Sequence, residues 1–189
     1  MNPTMGLKRK DQILQNILLV IDMQNDFIDG ALGSPEAEAI LPRVIERVKA
    51  FDGPVLFTRD THRENYLETQ EGEHLPVSHC IRGTQGWEIQ EDLDALRTTA
   101  PVDKVTFGAA ALPAILADMA DHDPIGSITL IGLDTDICVI SNALLIKAFF
   151  PEIPLIVDAS CCAGTTPESH QRALDAMAVC QIEVVGATK

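Results

Sequence analysis

Cys138 follows the apolar run Ser127–Leu133 after a short polar segment and stands where the next helix begins. A thiol placed there can act as a nucleophile. The unpaired N–H groups and the dipole of a helix N-terminus favour an anion, lower a thiol pKa and can hold an oxyanion. A buried structural cysteine is the other open reading, and that role fits Cys161, Cys162 and Cys180 better. Asp22 ends the apolar run Ile17–Ile21, where a carboxylate can shuttle a proton, ligate a metal or cap nearby backbone N–H groups. Lys104, beside Asp103 on a half-exposed strand, reads alone as a solvated cation.

A second group of polar residues is richer in metal-binding types. Asp60 and His62 are two residues apart, His79 follows, and Glu71, Glu73 and His74 lie between them. Mixed carboxylate and imidazole ligands suit zinc, manganese or iron(II). Surface His and Glu residues also produce such spacing without any metal.

The elements that must position these residues alternate between short apolar runs and amphipathic stretches, the pattern of βαβ units. Strands are predicted at Ile17–Ile21, Val55–Thr58, Val102–Phe107, Ser127–Leu133, Pro154–Val157 and Ile182–Val185. Helices are predicted from Ser34, with Pro35 in its first position, to about Ala50, then over Leu112–Met119, Cys138–Phe149 and Pro167–Val179. Between Thr61 and about Thr84 runs an irregular segment too long for an ordinary connection, a frequent mark of function. The expected fold is α/β, a doubly wound and mostly parallel six-stranded sheet with helices on both faces. Residues 1–11 read as a polar leader and residues 12–189 as a single domain. In such a sheet ligands bind beyond the carboxyl ends of the strands, near the point where strand order reverses. Asp22, Asp60 and the Asp134–Cys138 segment all follow strands directly and so share that edge.

Composition excludes several function classes. Fourteen Lys and Arg against 28 Asp and Glu give a net charge of −14, which argues against binding a nucleic-acid backbone. No apolar run approaches the roughly 20 residues needed to span a bilayer, and the stretch after Lys8–Lys10 lacks the pattern of a secretory signal. Five cysteines, an odd count without framework spacing, point to free thiols in a reducing compartment, the cytoplasm by default.

The motifs also form a recognisable series. Ile21-Asp22-Met23-Gln24-Asn25-Asp26-Phe27, Asp60-Thr61-His62, His79-Cys80 with Gly83-Thr84, Lys104, and Gly132-Leu133-Asp134-Thr135-Asp136-Ile137-Cys138-Val139 occur in the order seen in the isochorismatase-like cysteine hydrolases. The chain most resembles the nicotinamidase-related branch, from about Ile17 to Val185. The resemblance implies a catalytic triad of Asp22, Lys104 and Cys138. It also implies an oxyanion hole from the backbone N–H groups of Asp134 and Cys138, and a cis peptide at Leu133–Asp134. Cys138 would attack an amide carbonyl, ammonia would leave, and water would hydrolyse the thioester. Nicotinamide is the leading substrate, with carbamoyl, ureido or maleamate-type amides behind it. Isochorismatases proper lack the nucleophilic cysteine and cleave a vinyl ether, so Cys138 with Lys104 moves the expectation from ether to amide.

For a metal, zinc first, the resemblance implies ligands Asp60, His62 and His79 plus one more; no organic cofactor is expected. The chain departs from the commonest pattern here, because the position a few residues beyond His62 holds Tyr66 or a neighbour rather than His. Glu71 is the expected substitute and His74 the second candidate. Phe27, Trp87 and Phe107 would wall an aromatic substrate, although Trp87 replaces a smaller residue. Relatives form dimers and tetramers, so a homo-oligomer is expected, with the apolar helix Cys138–Phe149 a candidate interface.

Overall fold

The computed structural model describes residues 14–187; the leader expected at residues 1–11 lies outside them. Six strands form one sheet: β1 (Gln15–Ile21), β2 (Val55–Asp60), β3 (Val102–Lys104), β4 (Ile125–Gly132), β5 (Leu155–Cys162) and β6 (Glu183–Val185). Their order is β3-β2-β1-β4-β5-β6 and every pairing is parallel. The helices are α1 (Asn25–Ile28), α2 (Pro35–Lys49), α3 (Gln70–His74), α4 (Glu91–Asp94), α5 (Leu112–His122), α6 (Ile140–Phe149) and α7 (Pro167–Val179). No helix among the described residues is long and apolar enough to cross a membrane.

Strand β1 shows why the sheet is covered on both faces. Its residues from Ile17 onward are all apolar and fully buried, and alternate positions point to opposite sides. Ile17, Leu19 and Ile21 pack with Leu112 and Leu116 of α5, Ala143 and Ile146 of α6, and Leu174 and Met177 of α7. Leu18 and Val20 pack with Phe27 of α1, Leu93 of α4, and Ala37, Ile40 and Val44 of α2. Helix α2 begins as its sequence predicts, with the Ser34 hydroxyl accepting from the Ala37 N–H at 3.1 Å and Pro35 in the first turn.

The chain winds outward from β1 to β3 and then returns to the centre to place β4 against the other side of β1. The strand order therefore reverses between β1 and β4, where ligands bind in doubly wound sheets. Ile21 is paired with Gly132 there, so Asp22 and Leu133 leave the sheet side by side.

Several expected boundaries move. Strand β3 ends at Lys104 rather than Phe107, and residues 105–108 form a bend with Val105 78% exposed. Strand β5 continues past Val157 to Cys162, carrying the Asp158 and Ser160 side chains on its less buried positions. The helix expected from Cys138 starts earlier, as a π-type turn over Thr135–Val139 that leads into α6. Helices α1, α3 and α4 have only four or five residues, too short for a helical period to show in sequence. There is no cis peptide bond among the described residues, so the expected cis bond at Leu133–Asp134 is absent. The sharp exit from β4 is made instead at Gly132, with φ +117°, where a Cβ would stand 2.1 Å from the Ile21 carbonyl oxygen.

Candidate active site

Asp22, Lys104 and Cys138 come from the ends of β1, β3 and the turn after β4, and the sheet brings them together. Lys104 Nζ lies 2.8 Å from Asp22 Oδ2 and donates to Cys138 Sγ at 3.4 Å. All three are buried, Asp22 completely. Asp22 adopts φ +47°, an uncommon conformation for a residue with a Cβ, as the chain turns out of β1. The Thr58 hydroxyl of β2 donates to Asp22 Oδ1 at 2.7 Å and fixes the carboxylate from the other side.

Electrostatics here reverse one expectation. Burial pushes the Cys138 thiol well above its ordinary pKa, the neighbouring Asp22 adds to that, and Lys104 only partly offsets them. Burial also raises Asp22, against the pull of Lys104, which makes it a stronger base than an exposed carboxylate. Lys104 is itself raised: desolvation acts against its charge, but Asp22, Cys138 and Asp60 outweigh it.

Asp60 joins this group to a second one. Its Oδ1 lies 3.2 Å from Lys104 Nζ, while its Oδ2 lies 2.8 Å from His62 Nε2 and 3.7 Å from His79 Nε2. Glu71 Oε1 completes the set at 3.6 Å from His62 and 3.8 Å from His79. One ligand atom from each of Asp60, His62, Glu71 and His79 falls within 4.8 Å of all the others. Burial disfavours the Asp60 carboxylate, yet His62 and Lys104 overcome it and hold Asp60 below the ordinary range.

The donor set fits a divalent cation. His62 Nε2 is buried and has no aligned hydrogen-bond partner despite the nearby Asp60 oxygen. His79 places its Nδ1 2.8 Å from the Val77 carbonyl, an arrangement that puts the proton on Nδ1 and leaves Nε2 free as a ligand. Two carboxylates with two imidazoles suit zinc. Of the two candidates for the fourth ligand, Glu71 is in the cluster; His74 is exposed, with Nδ1 on the Gln70 carbonyl of its own helix. Tyr66 is not a ligand, since its hydroxyl donates to the Leu75 carbonyl at 3.0 Å and its ring packs on both histidines. Gly72 lets α3 approach: a Cβ there would meet the Tyr66 carbonyl oxygen at 2.1 Å.

The three aromatic residues expected around a substrate have different surroundings. Phe27 packs against His79, with ring centroids 5.6 Å apart, and so borders the metal-type cluster. Trp87 donates through its indole N–H to Thr61 Oγ1 and is covered by Arg59, whose guanidinium carbon lies 3.5 Å from the ring centroid. It lines a cavity of about 690 Å³ with Arg59 and Arg97, and no triad residue shares that wall. Phe107 is 43% exposed on the bend after β3.

Sequence reasoning passed over the residues that hold the site in place. The Gln24 carboxamide pairs with both backbone groups of Asp60, accepting from its N–H at 2.7 Å and donating to its carbonyl at 2.9 Å. Asp26 accepts from the Cys80 N–H at 2.7 Å and so pins the loop beside His79. Both stand in the Asp22–Phe27 motif, so their signal was present but carried no stated role. Asn142, one helical turn beyond Cys138, donates to the Cys138 carbonyl at 2.8 Å and accepts from the Ala109 N–H at 2.8 Å. A buried amide in an otherwise apolar helix was its only signal.

Comparison with known proteins agrees with the class this sheet and site define. A family profile described as the isochorismatase domain matches residues 16–189, and the chain belongs to that family. Among solved structures it is similar to the pyrazinamidase of Pyrococcus horikoshii in complex with zinc, at 27% identity and a TM-score of 0.76, covering 92% of this chain and 99% of that one. It is also similar to the nicotinamidase from Bacillus subtilis, at 26% identity and a TM-score of 0.75 over 90% and 99% of the two chains. The N-carbamoylsarcosine amidase from Thermoplasma acidophilum matches at 25% identity and a TM-score of 0.68, over 90% and 95%. A search of curated proteins finds no significant match.

Proposed function

We propose that this protein hydrolyses a small carboxamide through a thioester on Cys138, releasing ammonia. The observation that carries this reading is the buried contact of Lys104 Nζ with Asp22 Oδ2 at 2.8 Å and with Cys138 Sγ at 3.4 Å. Asp22 takes the thiol proton as Sγ attacks the carbonyl carbon, and Lys104 stabilises the negative charge on both. The backbone N–H groups of Asp134 and Cys138, in the turn above β4, receive the oxyanion. Asp22 then returns the proton to the nitrogen, and ammonia leaves as the C–N bond breaks. Water enters, loses a proton to Asp22 and attacks the thioester; the acid leaves and Sγ is reprotonated.

A divalent cation held by Asp60, His62, Glu71 and His79, zinc first among candidates, would supply a Lewis-acidic position for a substrate heteroatom. The likeness to a zinc-containing pyrazinamidase and to a nicotinamidase therefore supports amides of nitrogen heterocycles, with nicotinamide to nicotinate the leading reaction. The likeness to a carbamoylsarcosine amidase supports carbamoyl compounds as the next class.

An ammonia-release assay over nicotinamide, pyrazinamide, and carbamoyl, ureido and maleamate-type amides tests the proposal. Cys138→Ala is expected to lose at least about 10³-fold in kcat. Turnover surviving that substitution would overturn the cysteine mechanism. Pyruvate release from isochorismate, insensitive to thiol alkylation, would replace it with ether hydrolysis.

A further inference from the structure

The turn that carries Cys138 is held from a direction the triad does not use. Thr135, the first residue of that turn, is fully buried and donates its N–H to the Ala163 carbonyl at 2.8 Å. Its hydroxyl oxygen lies 2.7 Å from Nδ1 of His170 on α7. Next to it, both carboxylate oxygens of Asp136 are engaged by Thr165, accepting from its N–H at 2.9 Å and its hydroxyl at 2.6 Å. Gly164 permits this approach, because a Cβ there would meet Asp136 Oδ1 at 2.7 Å and the His170 Cα at 3.0 Å. The segment from the end of β5 to the start of α7 therefore grips the turn at two successive residues. Among these contacts, only His170–Thr135 is a side-chain pair reaching a fully buried member of the turn.

We infer that His170 is a positioning residue for the nucleophile, holding the Cys138 turn through the Thr135 hydroxyl so that Sγ stays within reach of Lys104. The inference rests on the cysteine reading above. A threonine hydroxyl with no partner in that buried place would be free to reorient, and the turn three residues before Cys138 would lose its side-chain anchor. His170 itself is half-buried and lines a cavity of about 300 Å³ between α2 and α7, bounded also by Glu36, Arg43 and Ser160. Burial keeps its pKa below the ordinary value, against the opposing pull of Asp136.

That cavity gives the test its specificity, since free imidazole can enter the space left by a truncated ring. In full-length His170→Ala, kcat on the best amide of the panel is expected to fall about tenfold, the worth of one buried hydrogen bond, with KM within about twofold. The alkylation rate of Cys138 by iodoacetamide, followed on its own peptide by mass spectrometry, should fall in parallel. Added imidazole should restore both, and His170→Asn, whose amide offers a donor and an acceptor, should retain most of the rate. Thr135→Val should reproduce the loss, and the double variant should be no worse than either single one. If His170→Ala does not fold, the Asn variant and Thr135→Val carry the same comparison. Wild-type kcat and alkylation in His170→Ala, or additive losses in the double variant, would overturn the inference. A wild-type protein whose Cys138 is inert to iodoacetamide would overturn the cysteine reading, and the inference with it.

Discussion

The triad and the metal-type cluster meet where Asp60 contacts Lys104, yet they are built in different ways. Asp22 and Lys104 sit at the ends of β1 and β3 and Cys138 on the turn after β4, all at the same edge of the parallel sheet. Asp60 alone of the other group leaves the sheet in this manner; His62, Glu71 and His79 ride on the long segment between β2 and β3. That segment is held by side chains, chiefly Gln24 on Asp60 and Asp26 on Cys80. The two groups also differ in charge balance. In the triad the buried Lys104 ammonium is held against the Asp22 carboxylate and the Cys138 thiol and also reaches Asp60, whereas in the cluster a buried imidazole nitrogen has no aligned partner. A buried thiol and carboxylate joined by one ammonium suit proton transfer. A site with an unmatched ligand atom is poised to receive a cation.

Lys104 contacts carboxylates of both groups, so its replacement breaks the comparison most severely. Lys104→Met leaves Asp22 and Asp60 facing each other without a cation and is expected to cost about 3–5 kcal/mol of stability. Urea unfolding measures the loss, and turnover should disappear along with Cys138 alkylation at neutral pH.

Asp134, beside the triad, gives the next largest effect. Burial, then Asp136 and Asp22, raise its pKa from the ordinary 3.8 to about 7. The folded protein thus keeps a proton that the unfolded chain has lost above pH 4, so this residue's contribution to stability is complete below its unfolded pKa and declines as pH rises toward 7. Asp134→Asn should remove that decline. It should match the wild type near pH 4 and exceed it at pH 8 by at most about 4 kcal/mol, measured by urea unfolding across pH.

Glu71→Gln sharpens the contrast without touching the triad. It should weaken zinc binding by at least about tenfold in calorimetric titration, since even residues that only orient a metal ligand cost that much. Cys138 alkylation in the metal-free protein should stay at the wild-type rate. A matching fall in alkylation would mean that the loop and the strand ends are one unit rather than two.

Most of the triad was legible because strand ends are legible. A short apolar run followed by a polar residue fixes both the strand and the edge at which it stops, and a parallel sheet then collects those polar residues. Lys104 is the exception. Its strand has only three residues, so the sequence marked it as a solvated cation until the motif order gave it a role. The metal ligands were legible as types, and Glu71 was expected ahead of His74, but the physical reason for that order was not legible. Those two residues lie three apart on one short helix, and only the packing of Gly72 against Tyr66 turns Glu71 inward.

By itself the sequence determined the six strands, the doubly wound class and the residues able to do chemistry. Apolar periodicity and the polar breaks between runs are local properties that need no long-range contact. Tertiary structure alone decided which neighbours each ionisable group meets in a dry interior. That is why Cys138, expected to be acidified by a helix N-terminus, has its thiol pKa pushed up by burial and by the neighbouring Asp22, with Lys104 only partly offsetting them. It is also why Phe27, Trp87 and Phe107, equivalent as letters, end at the metal-type cluster, under an arginine and in solvent respectively. Burial and distance set those outcomes, and neither is written in the order of residues along a chain.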